Sequence, residues 1–264
     1  MIYTTYRRDI GARESQQDSV DIIKDKDNIL MVIGDGMGGH TGGAKASEIL
    51  INISKRAFCG NNYKNPEEFF NSVIATSYKE ITIFSEESGE DPNTTASFAL
   101  LKGNTIHYGY IGDTRIYIFD KNGLITRTRD DSVPEILYQL GEIKEEEIAT
   151  HHEQNKLTKS LGSYKLNRVF YRNYTLKENK EYMVIVCSDG FWTQISNAEM
   201  HTLFTVEEMD INRKLEELIE LSKQRAGDRA DNISIAFTKI YGVVEERTIF
   251  KNILTILSKI FKRG

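Results

Sequence analysis

The chain has 264 residues, of which 39% are apolar and 28% are charged, so it can bury a substantial core as one large domain or two small ones. No apolar run is long enough to span a membrane, the N-terminus lacks the apolar stretch of a secretory signal, and Cys59 and Cys187, the only cysteines, argue against a disulfide scaffold or a structural zinc site. The net charge is −5, and the acidic excess before residue 247 disfavours nucleic acid as a partner.

Apolar runs of strand length alternate with helix-like segments along the chain. The run at 29–33 predicts a buried strand that ends in the glycine-rich segment 34–43. Helices are expected at 44–58 and from 66 to 84, where Pro66 suits a first helical turn. Further strands are predicted at 94–101, 105–111, 115–119, 124–128, 168–171, 182–187 and 232–240. Further helices are predicted at 134–140, 144–149, 197–204 and 212–225. This order favours an α+β layered domain over a strict βαβ alternation.

Residues 249–263 form a predicted amphipathic helix that differs from the rest of the chain. At about 100° per residue, its apolar side chains cover one half of the helix and its polar side chains the other. The segment from Arg247 to Gly264 carries five basic residues and no acidic one. Three alternatives stay open: a helix lying in a membrane surface, a helix in a groove of a partner or of this domain, or a terminal helix packed on its own domain.

Aspartates recur at the ends of the predicted strands. Asp35, Asp113 and Asp189 each follow an apolar run, Asp231 opens one, and Asp18 precedes another. If these strands share a sheet, several carboxylates meet at one edge, where they repel one another unless a cation neutralises them. Any one of them alone is more simply a turn or capping residue.

Together, Asp35, Asp189 and Asp231 favour a metal site, and oxygen ligands suit Mg²⁺ or Mn²⁺. Two such ions about 4 Å apart can bind a phosphate and activate a water for in-line attack. Arg13 could hold the phosphoryl oxygens, and His40 could protonate the leaving alcohol. A loop histidine that forms only local hydrogen bonds is the commoner alternative for His40.

The segment GDGMGG at 34–39 has the spacing of a nucleotide-binding loop, but that interpretation fails. Asp35 would place negative charge beside a pyrophosphate, and no GK[ST] follows. Glycine instead lets the backbone approach an ion closely, so that the carbonyl of Gly36 can serve as a ligand.

Seven motifs occur in an order and spacing that resemble the metal-dependent serine/threonine protein phosphatases of type 2C, in the bacterial form of that family. They span most of residues 3–240. In chain order they are GARESQQD (11–18), GDGMGGH (34–40), NTTASFALL (93–101), IGDTRIYIF (111–119), LTKSLGS (157–163), CSDGFW (187–192) and GDRADNIS (227–234).

The resemblance implies a four-layer α-β-β-α sandwich, with two antiparallel sheets flanked by helices and a metal cleft at one end. It implies that Asp35 bridges two Mn²⁺ or Mg²⁺ ions and that the Gly36 carbonyl is a ligand. Asp189 and Asp231 would hold the first ion, and Asp113 is associated with a third, weaker one.

The resemblance also assigns three residues outside that ligand set. Arg13 matches the arginine that binds the substrate phosphate, Asp18 would order metal-bound water, and His40 matches the proposed general acid. Residues 130–163 correspond to a flap that contributes to substrate choice.

The chain departs from the family pattern in three segments, and none of these departures removes an aspartate ligand. Gln16 and Gln17 stand where Asn and Glu or Gln are usual, and the neutral Gln17 is expected to weaken binding of the second metal. Thr193 replaces a frequent aspartate and Asn93 a usual glycine. Activity is therefore expected.

The sequence thus predicts a protein serine/threonine phosphatase domain at 1–241 and a basic amphipathic helix at 242–264. Its expected partners are phosphorylated proteins and an opposing serine/threonine kinase, with a peripheral membrane or partner contact through 247–263 and no nucleic acid. The expected localisation is cytoplasmic, with membrane association through the C-terminal helix. The alternatives are a non-catalytic phosphoprotein-binding scaffold of the same fold and a hydrolase of small phosphoesters.

Overall fold

A computed structural model describes residues 1–38, 41–162 and 168–241. The strands in these ranges are β1 (Ile2–Asp9), β2 (Ser19–Asp25), β3 (Asn28–Gly34), β4 (Gly36–Met37), β5 (Asn93–Thr94), β6 (Ala96–Lys102), β7 (Thr105–Ile111), β8 (Arg115–Asp120), β9 (Gly123–Arg127), β10 (Phe170–Thr175), β11 (Tyr182–Cys187) and β12 (Ile233–Ile240). The helices are α1 (Gly42–Cys59), α2 (Pro66–Ser88), α3 (Val133–Gln139), α4 (Asp189–Trp192), α5 (Asn197–Thr205) and α6 (Ile211–Ala226). Short 3₁₀ helices lie at Glu145–Thr150, Glu208–Asp210 and Gly227–Arg229.

Two five-stranded antiparallel sheets pack face to face. The first has the order β1-β12-β11-β8-β9, and the second has the order β10-β7-β6-β3-β2. A two-stranded ribbon of β4 and β5 lies beside them. Helices α1 and α2 cover the outer face of the second sheet, and α4 to α6 cover that of the first. The predicted four-layer α-β-β-α sandwich is confirmed.

Strand β3 is apolar at successive positions, and its place in the fold explains why. Successive side chains of a strand point to opposite faces. Leu30 and Val32 pack in the cluster under α1 and α2, whereas Met31 and Ile33 pack in the cluster between the two sheets. Both faces are therefore buried, and each needs apolar residues.

The local signals of α2 agree with the structure. Pro66 occupies the first turn, and the Oδ1 of Asn65 accepts a hydrogen bond from the amide of Glu68 at 3.4 Å. On the buried side, the rings of Phe70 and Phe98 stack with centroids 5.0 Å apart, which joins the helix to β6.

The predicted strands differ from the structure in several places. Strand β1 is absent from the predictions, because its sequence IYTTYRRD is largely polar and its place depends on pairing with β12. The strand predicted at 94–101 is divided at Thr95 into β5 and β6. The strand predicted at 168–171 is Phe170–Thr175 instead, an exposed edge strand on β7 that lacks an apolar pattern.

The predicted localisation, cytoplasmic with membrane association through a C-terminal helix, is contradicted. Within residues 1–38, 41–162 and 168–241, no helix is long and apolar enough to cross a membrane. Helix α2 is long, with 23 residues, but it includes acidic side chains such as Glu67 and Glu86. The predicted helix of 249–263 lies outside the described residues, as does the whole proposed C-terminal segment 242–264.

Candidate functional site

Both sheets contribute carboxylates to one end of the sandwich. Asp35 lies between β3 and β4, and Asp113 lies in the turn between β7 and β8. Asp189 follows β11 at the start of α4, and Asp231 lies two residues before β12. All four line one cleft of about 590 Å³, together with Arg13. The structure therefore brings together the aspartates that the sequence placed at separate strand ends.

The backbone at Gly36 also lines this cleft, in a place where a side chain does not fit. A Cβ atom at Gly36 would lie 2.2 Å from the carbonyl oxygen of Gly43 and 2.5 Å from that of Gln17. Only glycine allows α1 and the loop before β2 to pack so closely against this residue. The Gly36 backbone is thus held at the cleft wall, where its carbonyl can serve as a ligand.

Burial and mutual repulsion make three aspartates of the cleft, Asp35, Asp113 and Asp189, hard to ionise. Burial raises the pKa of Asp35 well above its usual range, and the negative charge of Asp18 raises it further. Burial, and after it the negative charge of Asp189, also raises the pKa of Asp113. The pKa of Asp189 is raised to about 6, by burial and then by Asp231. A bound cation would favour the charged form of every one of these groups.

One oxygen of Asp189 is left without a partner in the described part of the chain. Its Oδ1 is buried and forms no hydrogen bond there, whereas its Oδ2 accepts from Nε2 of Gln154 at 3.4 Å. A buried carboxylate oxygen in this state needs a donor or a cation. The candidate metal ligands of the cleft are all oxygen atoms, so they suit Mg²⁺ or Mn²⁺. Among the described side chains, however, no three of His, Cys, Asp or Glu are arranged to hold an ion.

Arg13 is bound to one of the cleft carboxylates. Its Nε donates to Oδ1 of Asp231 at 2.9 Å, and its Nη2 donates to Oδ2 at 2.6 Å. This two-pronged geometry is the one that arginine uses for carboxylates and phosphates. The hydrogen bonds to Asp231 are the main cause that raises the pKa of Arg13. A cation at Asp231 and the guanidinium of Arg13 therefore compete for the same two oxygens.

Asp18 lies behind the cleft wall, with only 2% of its surface exposed. Its Oδ2 accepts from Oγ of Ser188 at 2.7 Å, and Ser188 immediately precedes Asp189. Burial is the main cause that raises the pKa of Asp18 to about 8. Asp18 can therefore act on the cleft through Ser188 and through its charge.

Asn232 organises the cleft, although the sequence analysis does not single it out as a site residue. Its Nδ2 donates to the carbonyls of Ile10 at 2.9 Å and of Ser15 at 3.1 Å, and its Oδ1 accepts from the amide of Gln17 at 2.7 Å. These bonds hold the loop that carries Arg13 against the start of β12. They join residues more than 200 positions apart, so a single sequence contains no local signal for them.

The flap predicted at 130–163 reaches the cleft, as far as the structure describes it. Asn155 and Leu157 line the cleft wall, and Gln154 contacts Asp189. The base of the flap is fixed by Asp131, whose Oδ1 accepts from Nζ of Lys159 at 2.7 Å. Polar amides thus face the site from the flap side.

Seven of the eight predicted site residues can be placed. Arg13, Asp35, Gly36, Asp113, Asp189 and Asp231 line the cleft, and Asp18 lies behind it. His40 lies outside the described residues, so its role as general acid stays a prediction.

Comparisons with known sequences agree with these motifs. A family model described as protein phosphatase 2C matches residues 7–225. A putative protein phosphatase 2C-type of Streptococcus pyogenes serotype M6 is 30% identical over 236 aligned positions, and the match covers 87% of this chain and 94% of the relative.

Solved structures share the fold. A serine/threonine phosphatase of S. agalactiae is 27% identical with a TM-score of 0.80, and the match covers 90% of this chain and 99% of that one. The catalytic domain of the serine threonine protein phosphatase PstP, solved in complex with two manganese ions, is 23% identical with a TM-score of 0.76. That match covers 90% of this chain and 97% of the PstP chain.

Proposed function

The chain belongs to the protein phosphatase 2C family, and we propose that the carboxylates of its cleft hold the divalent cations with which it hydrolyses phosphoserine and phosphothreonine in proteins. It is a serine/threonine protein phosphatase, and the family is metal-dependent. The identity of the ions and the role of each residue go beyond the family assignment. The cluster of mutually repelling aspartates in one cleft is the observation that supports them.

The proposed ligands are Asp35, the carbonyl of Gly36, Asp189 and Asp231, with Asp113 for a third and weaker ion. Their proximity in the cleft and the unpartnered Oδ1 of Asp189 support this set. Mn²⁺ and Mg²⁺ both suit oxygen donors, and two ions are proposed. PstP, which shares this fold, was solved with two manganese ions.

When bound, the cations would supply a nucleophilic water at neutral pH and offset the negative charge of the phosphoryl group. Arg13 is proposed to bind the phosphoryl oxygens with the same two nitrogen atoms that now hold Asp231. Asp18 is proposed to accept a hydrogen bond from water in the cleft. His40 is proposed to give a proton to the leaving serine or threonine alkoxide, which is a poor leaving group unless it is protonated.

Phosphorylated proteins are the substrates, and we propose that a serine/threonine kinase opposes the enzyme. The catalytic domain is proposed to end near Tyr241, since β12 completes the first sheet at Ile240. The alternative of a non-catalytic scaffold has no support from the comparisons, and a role in hydrolysing small phosphoesters has no observation in its favour.

The test is the release of phosphate from a phosphothreonine peptide by the full chain, with Mn²⁺ and with excess EDTA. We expect turnover with Mn²⁺, loss with EDTA, and loss in Asp189→Asn at every Mn²⁺ concentration. Asp120→Asn is the matched control, because Asp120 is also an aspartate at a strand end, but its carboxylate caps the turn after β8 by accepting from the amide of Asn122 at 2.8 Å. No turnover by the wild type with any divalent cation, or full activity of Asp189→Asn, would refute the proposal.

A further inference from the structure

The paired threonines of the NTTASFALL segment contact the backbone beside two of the cleft carboxylates. Thr95 is fully buried and lies at the break between β5 and β6. Its amide donates to the carbonyl of Asp35 at 2.8 Å, and its Oγ1 accepts from the amide of Asp35 at 2.9 Å. A single residue thus holds the backbone of Asp35 at both its amide and its carbonyl.

The same hydroxyl reaches the loop of Asp113. The Oγ1 of Thr95 lies 2.5 Å from Oγ1 of Thr114, the residue that follows Asp113, and either oxygen can be the donor. Thr114 is also buried, and its carbonyl accepts from Oγ of Ser97 at 2.7 Å. A continuous hydrogen-bond chain therefore runs from the Asp35 amide through Thr95 to Thr114.

The methyl group of Thr95 fills the space on the other side of that loop. Gly112 has a φ of +99°, and a Cβ built on it would lie only 2.6 Å from Cγ2 of Thr95. The loop that bears Asp113 is thus pressed against Thr95 by packing and tied to it by a hydroxyl contact. This double contact matters because like charges on neighbouring carboxylates push the two segments apart.

We propose that Thr95 is a positioning residue, whose hydroxyl fixes the backbone of Asp35 relative to that of Asp113 and thereby raises the affinity of the cleft for Mn²⁺. The inference rests on the proposed cation centre. Groups that orient metal ligands typically change metal affinity by about 10- to 100-fold when they are removed. Thr95 touches no substrate and acts only through the residues that it holds.

The test is isothermal titration calorimetry of the full chain with Mn²⁺ alone, which measures binding and does not depend on activity. Thr95→Val keeps the shape of the side chain but removes the hydroxyl, and we expect its Kd for Mn²⁺ to rise about tenfold or more. Thr95→Ser restores the hydroxyl and is expected to stay within about threefold of the wild type. The matched control is Thr238→Val, which removes an equally buried hydroxyl from β12, where its partner is the sulfur of Met31.

Wild-type affinity in a folded Thr95→Val protein, or an equal loss in Thr238→Val, would overturn the inference. If Thr95→Val does not fold, Thr114→Val breaks the same hydrogen-bond chain at its far end and leaves the contact between Thr95 and Asp35. Its Kd is then expected to rise about threefold or more, and an unchanged Kd would overturn the inference instead. A wild-type chain that binds no Mn²⁺ would refute the proposed cation centre itself, so the two failures can be told apart.

Discussion

Two groups of charged side chains lie close together at the cleft, and they differ in how their charge is compensated. Beside the cleft, Arg115 donates to both carboxylate oxygens of Asp130 at 2.8 and 2.7 Å, and its guanidinium lies 3.4 Å from the ring centroid of Trp192. In the cleft, Asp35, Asp113 and Asp189 face one another with their pKa values raised. The first cluster is neutralised within the chain, whereas the second has an excess of negative charge that the proposed cations would offset.

This difference separates a structural use of charge from a functional one. A buried pair with satisfied hydrogen bonds contributes to the fold, and removing one partner leaves an uncompensated charge. An excess of buried carboxylates destabilises the metal-free fold and supplies binding energy for a cation. Substitutions in the two clusters should therefore change different measured quantities.

The largest effect is expected for activity when a cleft carboxylate is neutralised. Asp35→Asn and Asp189→Asn should each lower kcat by about four orders of magnitude, which corresponds to roughly 5 kcal/mol of transition-state stabilisation. The melting temperature of the metal-free protein should stay level or rise, because a repelling charge is gone. Steady-state kinetics with a phosphothreonine peptide and calorimetric melting test both parts, with Asp120→Asn as control. A collapse of the fold in these variants would assign the aspartates a structural role.

Asp130→Ala should mainly lower the stability of the fold. It leaves Arg115 buried and unpaired, so the free energy of unfolding should fall by about 3–5 kcal/mol. Denaturant titration measures this loss. Any loss of Mn²⁺ affinity should be much smaller than in Asp189→Asn. If Asp130→Ala were as stable as the wild type, the contrast between the two clusters would fail.

The pH dependence of stability should show the unbalanced charge directly. The pKa of Asp18 is raised to about 8 and that of Asp189 to about 6, so the folded state holds protons that the unfolded state releases near pH 4. The stability from these groups is complete below pH 4 and is lost as the pH rises towards 8. The metal-free protein should therefore unfold more easily at pH 8 than at pH 5. Added Mn²⁺ should reduce the slope, and Asp18→Asn should flatten part of it. A metal-free stability that rises across this range would contradict the expected sign.

The smallest expected change in stability comes from Arg13. Its side chain is 55% exposed, so the ion pair with Asp231 should contribute less than about 1 kcal/mol to folding. Arg13→Ala should nevertheless raise KM for the phosphopeptide, whereas Arg13→Lys, which keeps the charge without the two-pronged geometry, should recover part of the loss. Equal KM values in both variants and the wild type would remove Arg13 from phosphate binding.

The sequence predicted the elements whose cause is local. The strand predicted at 105–111 has the bounds of β7, and the strand predicted at 182–187 is β11, because both are rich in apolar, β-branched or aromatic residues. The polar strand β1 was missed, since only its pairing with β12 makes it a strand. The division of the strand predicted at 94–101 has the same kind of cause, because Thr95 turns towards the backbone of Asp35.

The residues that line the candidate site could be predicted, but their arrangement could not. Aspartates at the ends of apolar runs indicated Asp35, Asp113, Asp189 and Asp231, and all four line the cleft. The pairing of Arg13 with Asp231 depends on the folded chain, since the two residues are 218 positions apart. The same holds for the Asn232 and Thr95 contacts.

The most direct test of the central claim is anomalous diffraction from crystals of the full chain grown with Mn²⁺, recorded at the manganese absorption edge. The account predicts two strong peaks in the cleft, adjacent to the carboxylates of Asp35, Asp189 and Asp231, with Arg13 released from Asp231. Peaks confined to other surfaces, or a cleft without peaks in which Arg13 still binds Asp231 at saturating Mn²⁺, would contradict it.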